Sequence, residues 1–380
     1  MTRLRLHVFV FTGIRTVLNT MHRMVYPFLL VFSRGLGVDL MDLALALSIR
    51  QIAGAFGPFL AVIADSRGRK TAMLSGLALF TIGVSLVIIW PTYPVFVLTL
   101  ILSIVGKYLY DPSMQAYLAD RVPYQRRGLV LAVTELSWSL AAIAGVPLVG
   151  FLIARYGWRG PFPLLALAGL FAIGLLAWLL PNDNHTSSER LGPWQNLNLV
   201  LHHAPALSGL AMGCMMSAAN ETVNLVFGVW MEDAFGLKIA ALGAAAAMIG
   251  LAELGGEALV GSLTDRLGKP RAVGLGLLLN SMTAVALPIL GHNLPGALVG
   301  LFLFYLTFEF TIVSAIPLMS EVLPSARATL MATCFAAHSL GRGLGILVAP
   351  HLYAMGIFAS AGAAVVFNLL AWLALKKVKI

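Results

Sequence analysis

Long apolar segments recur along this 380-residue chain, and each is about as long as a helix that crosses a lipid bilayer. Such a helix needs about 20 mostly apolar residues, because the hydrocarbon core is about 30 Å thick. Only 11% of the residues are charged, whereas an average soluble domain has about 25%. A soluble protein of this size would have too few charged residues to cover its surface. The pattern therefore predicts an all-α membrane protein.

Turn-forming or charged segments divide the apolar sequence into twelve predicted spans. Some dividers are very short, such as WPTYP at residues 90–94 and GHNLPG at residues 291–296, both typical of turns. The predicted spans are 7–33, 41–64, 72–90, 94–119, 128–154, 160–180, 204–231, 239–264, 271–290, 295–320, 327–353 and 355–375.

The positions of lysine and arginine predict how these spans are oriented, because cytoplasmic loops retain positive charge. With the N-terminus inside, the outer loops hold only Arg34, Arg155, Arg159 and Lys238, and most other basic residues lie on the inner side. Both termini are therefore expected in the cytoplasm, and we expect a bacterial cytoplasmic membrane. The net charge of +9 is explained by this topology and by anionic lipid headgroups, without any nucleic-acid partner.

A charged island occurs twice, about 200 residues apart, as AVIADSRGRK at residues 61–70 and GSLTDRLGKPR at residues 261–271. The longest polar segment of the chain lies between the two islands. We therefore predict an N-terminal six-helix half at 1–180, a cytoplasmic linker at 181–203 and a C-terminal six-helix half at 204–380. The repeat indicates that the halves arose by duplication.

The second island resembles the signature loop of the major facilitator superfamily, Gly-x-x-x-Asp-Arg-x-Gly-Lys/Arg-x-Lys/Arg. The first island departs from that pattern at Ala61 and Ser66. The resemblance implies two six-helix halves around a central cavity, and secondary transport by alternating access. It also implies that the two islands gate the cytoplasmic side. Our candidate gating residues are Asp65, Gly68, Arg69, Lys70, Arg126, Arg127, Gly261, Asp265, Arg266, Gly268, Lys269, Arg271 and Arg327.

The gating hypothesis also has a physical basis, since an aspartate at the C-terminal end of a helix faces the negative end of the helix dipole and needs a cationic partner. The alternative is that each island is only a tight loop, with a glycine for the turn and positive charges for topology.

Ionisable residues inside the spans are the candidate functional groups, because a charge at the bilayer centre costs about 3 kcal/mol or more. The first half has more cations than carboxylates, and the second half has more carboxylates than cations. These charges either pair across a central cleft or are neutralised within their own half. Lys107 and Asp111, four residues apart on one helix, illustrate the second alternative.

A polar stripe on the first span gives the clearest geometry, since Arg15, Asn19, His22 and Tyr26 lie within about 60° on one helix face. Such a stripe must face away from lipid. Trp138 is either a platform for substrate or a packing aromatic residue. Our candidate substrate-binding residues are Arg15, Asn19, Arg23, Tyr26, Arg50, Lys107, Asp111, Trp138, Asn220, Asn224, His338 and Arg342.

Proton coupling requires a buried carboxylate that is protonated in one state of the cycle and ionised in another. We predict Glu309, Glu221 and Glu135 for this role, with a slight preference for Glu309. His338 also titrates near neutral pH, but a lone buried histidine is more often a hydrogen-bonded structural residue.

Motifs for nucleotide or zinc chemistry are absent from the sequence. Its two cysteines, Cys214 and Cys334, both fall inside predicted spans, where packing is the expected role. We therefore expect no enzyme activity, no cofactor and no metal. The expected partners are protons, a small-molecule substrate and the lipid bilayer, and the protein is expected to be a monomer.

The sequence favours a proton-coupled antiporter that exports small organic molecules. GVPLVG at residues 145–150 partly resembles the fifth-helix signature of exporters in this superfamily. The main alternative is a proton-coupled symporter that imports an organic anion, which Arg15, Arg50 and Lys107 would bind. A third possibility is a membrane receptor or scaffold that transports nothing, which the repeat and the two islands disfavour.

Overall fold

The structure is a computed structural model that describes residues 2–57, 59, 68–122, 124–181 and 193–378. Every regular element within these residues is a helix. A π-turn at Ala141–Gly145 joins two of the α-helices, and a 3₁₀ turn at Pro324–Ala326 precedes another. The α-helices are α1 Thr2–Arg23, α2 Leu29–Leu36, α3 Leu40–Ala55, α4 Arg69–Ile89, α5 Tyr93–Arg121, α6 Tyr124–Leu140, α7 Val146–Tyr156, α8 Pro161–Leu179, α9 Pro193–Leu201, α10 Ala204–Asn224, α11 Phe227–Phe235, α12 Ile239–Leu267, α13 Lys269–Leu290, α14 Leu294–Val322, α15 Arg327–Ala354 and α16 Ile357–Leu375.

Nine helical segments in the described part of the chain are long and apolar enough to cross a membrane, where the end of α6, the π-turn and α7 count as one segment. The other predicted spans are shorter or interrupted in the structure. The predicted helix at 7–33 is divided into α1 and α2, and the one at 204–231 into α10 and α11. The span predicted at 41–64 contains α3, and its residues after 59 lie outside the described ranges. The fold is the predicted all-α membrane protein with twelve spans in two halves.

Each of the two interrupted spans is the first span of a predicted half. The two halves therefore share this break in the helix as well as the charged island. In the first of them, residues 24–28 form a turn that contains Pro27. Proline lacks a backbone N–H group and therefore cannot continue the helical hydrogen bonding. Treating these two spans as single helices was an error of the sequence interpretation.

The two charged islands share one local geometry where they enter the next helix. Gly68 precedes α4 with φ +88°, and Gly268 precedes α13 with φ +82°. At these angles a residue with a Cβ atom would be strained, whereas glycine is not. The repeated glycine is therefore required by the backbone at both positions.

Contacts between Cα atoms group the chain into two units, which we call unit 1 and unit 2. Unit 1 comprises Met1–Asp39, Phe59–Ser188 and Lys238–Gly250, and unit 2 comprises Leu40–Pro58, Glu189–Leu237 and Leu251–Ile380. The segment that contains α3 thus belongs to unit 2, although it lies early in the sequence. The division between the units also falls within α12, whose first residues belong to unit 1.

In unit 1, α4 and α5 are in direct backbone contact at two glycines. A Cβ atom added to Gly76 would lie 2.4 Å from the carbonyl oxygen of Gly106, and one added to Gly106 would lie equally close to the oxygen of Gly76. Small residues of this kind allow helices to approach closely in membranes. The contact fixes the position of α5 next to Lys107, one of the candidate functional residues.

In unit 2, α10 and α15 approach each other in a similar way. A Cβ atom on Gly341 would lie 2.0 Å from the carbonyl oxygen of Cys214, and one on Gly345 would lie 2.5 Å from that of Ala218. On the other side of α15, the hydroxyl of Ser48 in α3 donates a hydrogen bond of 3.1 Å to the carbonyl oxygen of Gly343. These contacts hold α15 between α3 and α10.

Candidate functional site

Arg15 on α1 lies between two carboxylates in unit 1. Its Nη1 atom is 2.7 Å from Oε1 of Glu135 and donates to the carbonyl oxygen of Thr134 at 3.1 Å. Its Nε atom is 3.3 Å from Oδ1 of Asp111. Three helices, α1, α5 and α6, therefore meet at one guanidinium group.

Lys107 completes this cluster from α5. Its Nζ atom is 2.5 Å from Oδ2 of Asp111 and donates to Oδ1 of Asn19 at 2.7 Å. The amide of Asn19 donates in turn to the hydroxyl of Ser137 at 3.2 Å. Lys107 and Asp111 thus neutralise each other within one helix. For these two residues the structure agrees with neutralisation within one half of the chain, and not with pairing across a central cleft.

The charges of this group balance, with Arg15 and Lys107 facing Asp111 and Glu135. Balance matters here, because buried charges are tolerated in a membrane only when they are paired. We refer to these four residues as the ion cluster.

The two carboxylates of the ion cluster differ in how much of their surface is exposed. The side chain of Asp111 is 15% exposed, whereas that of Glu135 is 45% exposed. Asp111 also has two cationic partners, and Glu135 has Arg15 together with a hydrogen bond of 3.3 Å from Gln115. Glu135 is therefore the more exposed of the two carboxylates in this cluster.

Trp138 lies beside the ion cluster and faces several cationic side chains. The guanidinium carbon of Arg23 is 4.7 Å from the centre of the indole ring, and Nζ of Lys107 is 6.0 Å from it. The imidazole of His22 is 5.7 Å away, centre to centre. The predicted polar stripe of the first span therefore faces α5 and α6 within unit 1.

A second polar group forms in unit 2 around Asn224. Its amide donates to Oε2 of Glu221 at 2.9 Å, and its Oδ1 atom accepts a hydrogen bond of 2.8 Å from the hydroxyl of Tyr305. Glu221 is almost completely buried. Gly345 makes room for it, since a Cβ atom there would lie 2.8 Å from that of Glu221.

Glu309 is also buried in unit 2, where it packs against α12. A Cβ atom on Gly256 would lie 2.8 Å from Cβ of Glu309.

His338 on α15 forms a 2.8 Å hydrogen bond between its Nδ1 atom and the hydroxyl of Ser217. This contact fits the structural role that a lone buried histidine usually has.

The remaining predicted binding residues lie at several places. Tyr26 is buried in unit 1, and Arg50 is buried on α3, which belongs to unit 2. Asn220 is buried on α10, and Arg342 is partly buried on α15. In the structure, the predicted first-half residue Arg50 therefore belongs to the same unit as Arg342.

The predicted gating residues are described only in part. Asp65 and the side chains of Arg126, Arg127 and Asp265 lie outside the described part of the structure. Gly261 and the side chains of Arg266, Arg271 and Arg327 are exposed. The gate itself therefore stays a prediction.

The basic residues that follow the island glycines have partners within their own units. Arg69 donates to the carbonyl oxygen of Ala116 at 2.7 Å. Lys70 donates to those of Ala177 at 3.0 Å and Leu180 at 2.7 Å, and so caps the C-terminal end of α8. In the second island, Lys269 forms an ion pair with Glu321.

Several site residues were missed by the sequence interpretation. Gln115 follows Lys107 and Asp111 at intervals of four residues, so its place on the same face of α5 was available from helical periodicity. No such periodicity pointed to Ser137, Thr134 or Tyr305. Each of them forms a hydrogen bond with a residue of another helix, and the sequence does not show which helices are neighbours.

Comparison with known proteins agrees with this architecture. Residues 12–220 and 209–379 match the sequence model of the Major Facilitator Superfamily. The chain is 27% identical to the MFS-type transporter YceJ of Bacillus subtilis, over 82% of this chain and 78% of that one. It is 30% identical to the multidrug resistance protein MdtH of Blochmanniella floridana over 47% of this chain and 45% of that one.

A solved structure extends the agreement to the fold. A bacterial homologue of the human lysosomal transporter Spinster, in an inward-facing and unoccupied conformation, superposes with a TM-score of 0.83. The match covers 99% of this chain and 98% of the other at 13% identity. Taken with the match to the family model along the whole of both halves, the twelve spans and the repeat lead to one assignment: the chain belongs to the Major Facilitator Superfamily.

Proposed function

We propose that this transporter is a proton-coupled antiporter that exports small organic molecules by alternating access. The observation that carries the proposal is the ion pair of the buried Arg15 with the partly exposed Glu135. A coupling group must exchange protons with solution and must also be linked to the buried charges of the protein. The partial exposure of Glu135 and its ion pair with Arg15 support this role.

In the proposed cycle, the charge on Glu135 controls the partners of Arg15. Ionised Glu135 holds Nη1 of Arg15. When a proton binds to the carboxylate, this attraction is lost, whereas the ion pair of Arg15 with Asp111 remains. The ion cluster then carries one excess positive charge, which repels a cationic substrate. A proton and an organic cation therefore compete for the same carboxylate, as antiport requires.

Trp138 supports an organic substrate in this position. Its ring lies next to the ion cluster and already faces the guanidinium of Arg23. The face of an indole ring attracts cations and stacks with aromatic groups. We propose that substrate binds against this ring and reaches Glu135 with its charged group.

The pairing of the cations argues against the import of an organic anion. That alternative needs Arg15, Arg50 and Lys107 as anion-binding groups. Of these, Arg15 and Lys107 are in contact with carboxylates. An anion would have to displace a buried carboxylate from each of them, with the desolvation cost that this entails. The name of MdtH, a multidrug resistance protein, is also consistent with export of organic compounds.

Glu221 and Glu309 are alternative proton carriers in unit 2. Both are buried, and Glu221 is linked through Asn224 to Tyr305. Their burial suits a group that changes its charge only when the protein changes conformation. The sequence favours Glu309 because of its burial, whereas our proposal ranks Glu135 first because its ion pair with Arg15 links its charge to the ion cluster.

We further propose that the protein acts as a monomer in a bacterial cytoplasmic membrane with both termini in the cytoplasm. The halves at 1–180 and 204–380 would rock about the substrate site, with the linker at 181–203 on the inner side. In this view the two charged islands close the cytoplasmic side. The excess of basic residues on the predicted inner side supports this orientation.

The experiment that tests antiport uses purified protein in sealed vesicles that contain a pH-sensitive dye. Vesicles loaded with ethidium, an organic cation, are diluted into medium without it. Antiport predicts that ethidium efflux acidifies the vesicle interior, because protons enter in exchange. A symporter would make the interior more alkaline, and a receptor or scaffold would leave its pH at the level of protein-free vesicles. Either of these results would contradict the proposal.

A further inference from the structure

A small cavity in unit 2 has a wall that is rich in sulfur. It lies between α10, α14 and α15 and has a volume of about 20 Å³. Five of its lining residues carry sulfur atoms, namely Met212, Met216, Met319, Met331 and Cys334. No part of the proposed transport cycle uses these residues.

The sulfur residues converge on the cavity from three helices. Met212 and Met216 are one turn apart on α10, and Met331 and Cys334 are nearly one turn apart on α15, so each pair shares one helix face. Met319 comes from α14. Except for Met331, all of these side chains are at least nine-tenths buried.

A glycine on α10 brings the sulfur of Met319 close to that helix. A Cβ atom on Gly209 would lie 2.3 Å from both the sulfur and the terminal methyl carbon of Met319. Any larger residue at position 209 would displace the thioether. The backbone is thus shaped to admit a sulfur atom at the wall of the cavity.

The size of the cavity restricts what it can hold. A volume of about 20 Å³ is close to that of one water molecule, whereas pockets for organic ligands have about 300 to 1,000 Å³. The enclosed volume therefore has room for a single ion or atom. A water molecule needs two or more polar partners, and thioethers are poor ones.

The chemistry of the wall then selects the kind of ion. Thioether and thiol groups are soft ligands that prefer Cu(I), whereas calcium and magnesium require oxygen ligands. Among the described residues, no group of three or more His, Cys, Asp and Glu side chains is arranged to hold a metal ion. The sulfur set is instead built from the ligand types that a soft metal prefers.

We propose that this cavity binds one soft monovalent cation, Cu(I) or its analogue Ag(I), through Cys334 and the surrounding methionine sulfurs. On binding, the thiol of Cys334 releases its proton to solution and its sulfur bonds to the metal, without a change in oxidation state. The thiolate cancels the charge of the ion, and the thioethers are neutral. The loaded site is thus neutral, as a membrane interior requires.

The imidazole of His338 borders the same cavity but is not assigned as a ligand. Its Nδ1 atom is hydrogen-bonded to Ser217, and the ring packs closely against Gly213. We infer that His338 fixes the position of α15 relative to α10.

The competing explanation is that the methionines only pack the core of unit 2. Met212, Met216, Met319 and Cys334 do belong to a buried apolar cluster, and methionine commonly fills gaps in such cores. The two explanations differ in what replacement by leucine does. Leucine preserves volume and packing, but it cannot bind a metal.

The test is a competition for Cu(I) between the purified full-length protein and the coloured chelator bicinchoninate, under reducing and oxygen-free conditions. We expect the wild type to withdraw one equivalent of Cu(I). The variants Cys334→Ala and Met212→Leu/Met216→Leu should each bind it at least about tenfold more weakly. Cys214→Ala and Met282→Leu, which replace sulfur residues outside the cavity, should match the wild type.

Two results would overturn the proposal. One is a wild-type protein that takes no Cu(I) from the chelator at equal concentration. The other is equal Cu(I) binding by the wild type and by both cavity variants. The melting temperatures measured without metal check that the variants are folded. The rise in melting temperature on addition of Ag(I) gives a second measure of metal binding. Because none of these measurements involves transport, they are independent of the proposed export activity.

Discussion

The guanidinium of Arg15, which is almost completely buried, forms a 2.7 Å ion pair with the carboxylate of Glu135, which is nearly half exposed. One partner is thus fixed inside the helix bundle, and the other is in contact with its surroundings. This asymmetry gives the two carboxylates around Arg15 different roles. Asp111 neutralises the buried cations, and Glu135 is the carboxylate that we propose exchanges protons.

The first prediction is that Asp111→Asn destabilises the protein more than Glu135→Gln does. Asp111 is the shared partner of Arg15 and Lys107, and removal of one partner from a buried charge pair costs about 3 to 5 kcal/mol. Glu135→Gln should cost less, because that carboxylate is partly solvated. The melting temperatures of the two variants in detergent check this order, and the reverse order would contradict the assigned roles.

The second prediction concerns the glycine contact between α4 and α5. Gly106→Ala should lower the melting temperature and the transport rate, because the added methyl group would meet the carbonyl oxygen of Gly76. Gly174→Ala is the matched control, since a Cβ atom there has no neighbour within 4 Å. The control should be neutral, or stabilising by up to about 1 kcal/mol, as alanine is the better helix former. Equal melting temperatures for Gly106→Ala and wild type would show that the contact is not tight.

The third prediction is that Asp265→Asn and Asp65→Asn slow transport severely while the protein remains folded and inserted in the membrane. Each change removes a charge from a contact that we expect to form only in one conformational state. Transport rates in vesicles and melting temperatures should be measured on the same preparations. Wild-type rates in both variants would mean that the islands are only turns.

The fourth prediction tests the orientation of the chain. A cysteine introduced by Ser187→Cys, in a background with Cys214 and Cys334 replaced by alanine, should not react with a membrane-impermeant thiol reagent in intact cells. It should react once the cells are opened. Labelling in intact cells would place the linker outside and reverse the predicted topology. For the same reason we expect no glycosylation at the Asn184-His185-Thr186 acceptor sequence.

Much of this fold could be predicted from the sequence, because the bilayer imposes simple rules. Each span must be about 20 apolar residues long, and the repeat of two charged islands locates the two halves. The breaks at residues 24–28 and between α10 and α11 were not predicted, because an apolar segment has the same composition whether or not its helix is continuous.

The sequence was sufficient to predict which residues belong to the candidate site, but not which of them form ion pairs with one another. Arg15, Asn19, Lys107, Asp111 and Glu135 were all identified as charged or polar residues inside spans, and the structure brings them together. Which cation meets which carboxylate depends on the neighbours of each helix, and helical periodicity alone does not determine these neighbours. The sulfur cavity was missed for another reason, since methionine in an apolar segment is indistinguishable from ordinary core packing.

The central claim is that Glu135 carries the coupled proton, and one paired measurement on Glu135→Gln tests it most directly. Glutamine mimics the protonated carboxyl permanently, so transport driven by a pH gradient should collapse. Exchange of ethidium for ethidium across vesicles without a gradient requires no change in protonation, so it should continue, but only at higher ethidium concentrations, because the neutral side chain no longer attracts the cation. Asp233→Asn, which neutralises an exposed carboxylate, should leave both activities at wild-type levels.

Glu221→Gln and Glu309→Gln are measured alongside, since these residues are the alternative carriers. The account predicts that only Glu135→Gln separates the two activities, losing gradient-driven transport and keeping exchange. It would be contradicted if Glu135→Gln retained wild-type transport driven by the gradient while Glu221→Gln or Glu309→Gln lost it.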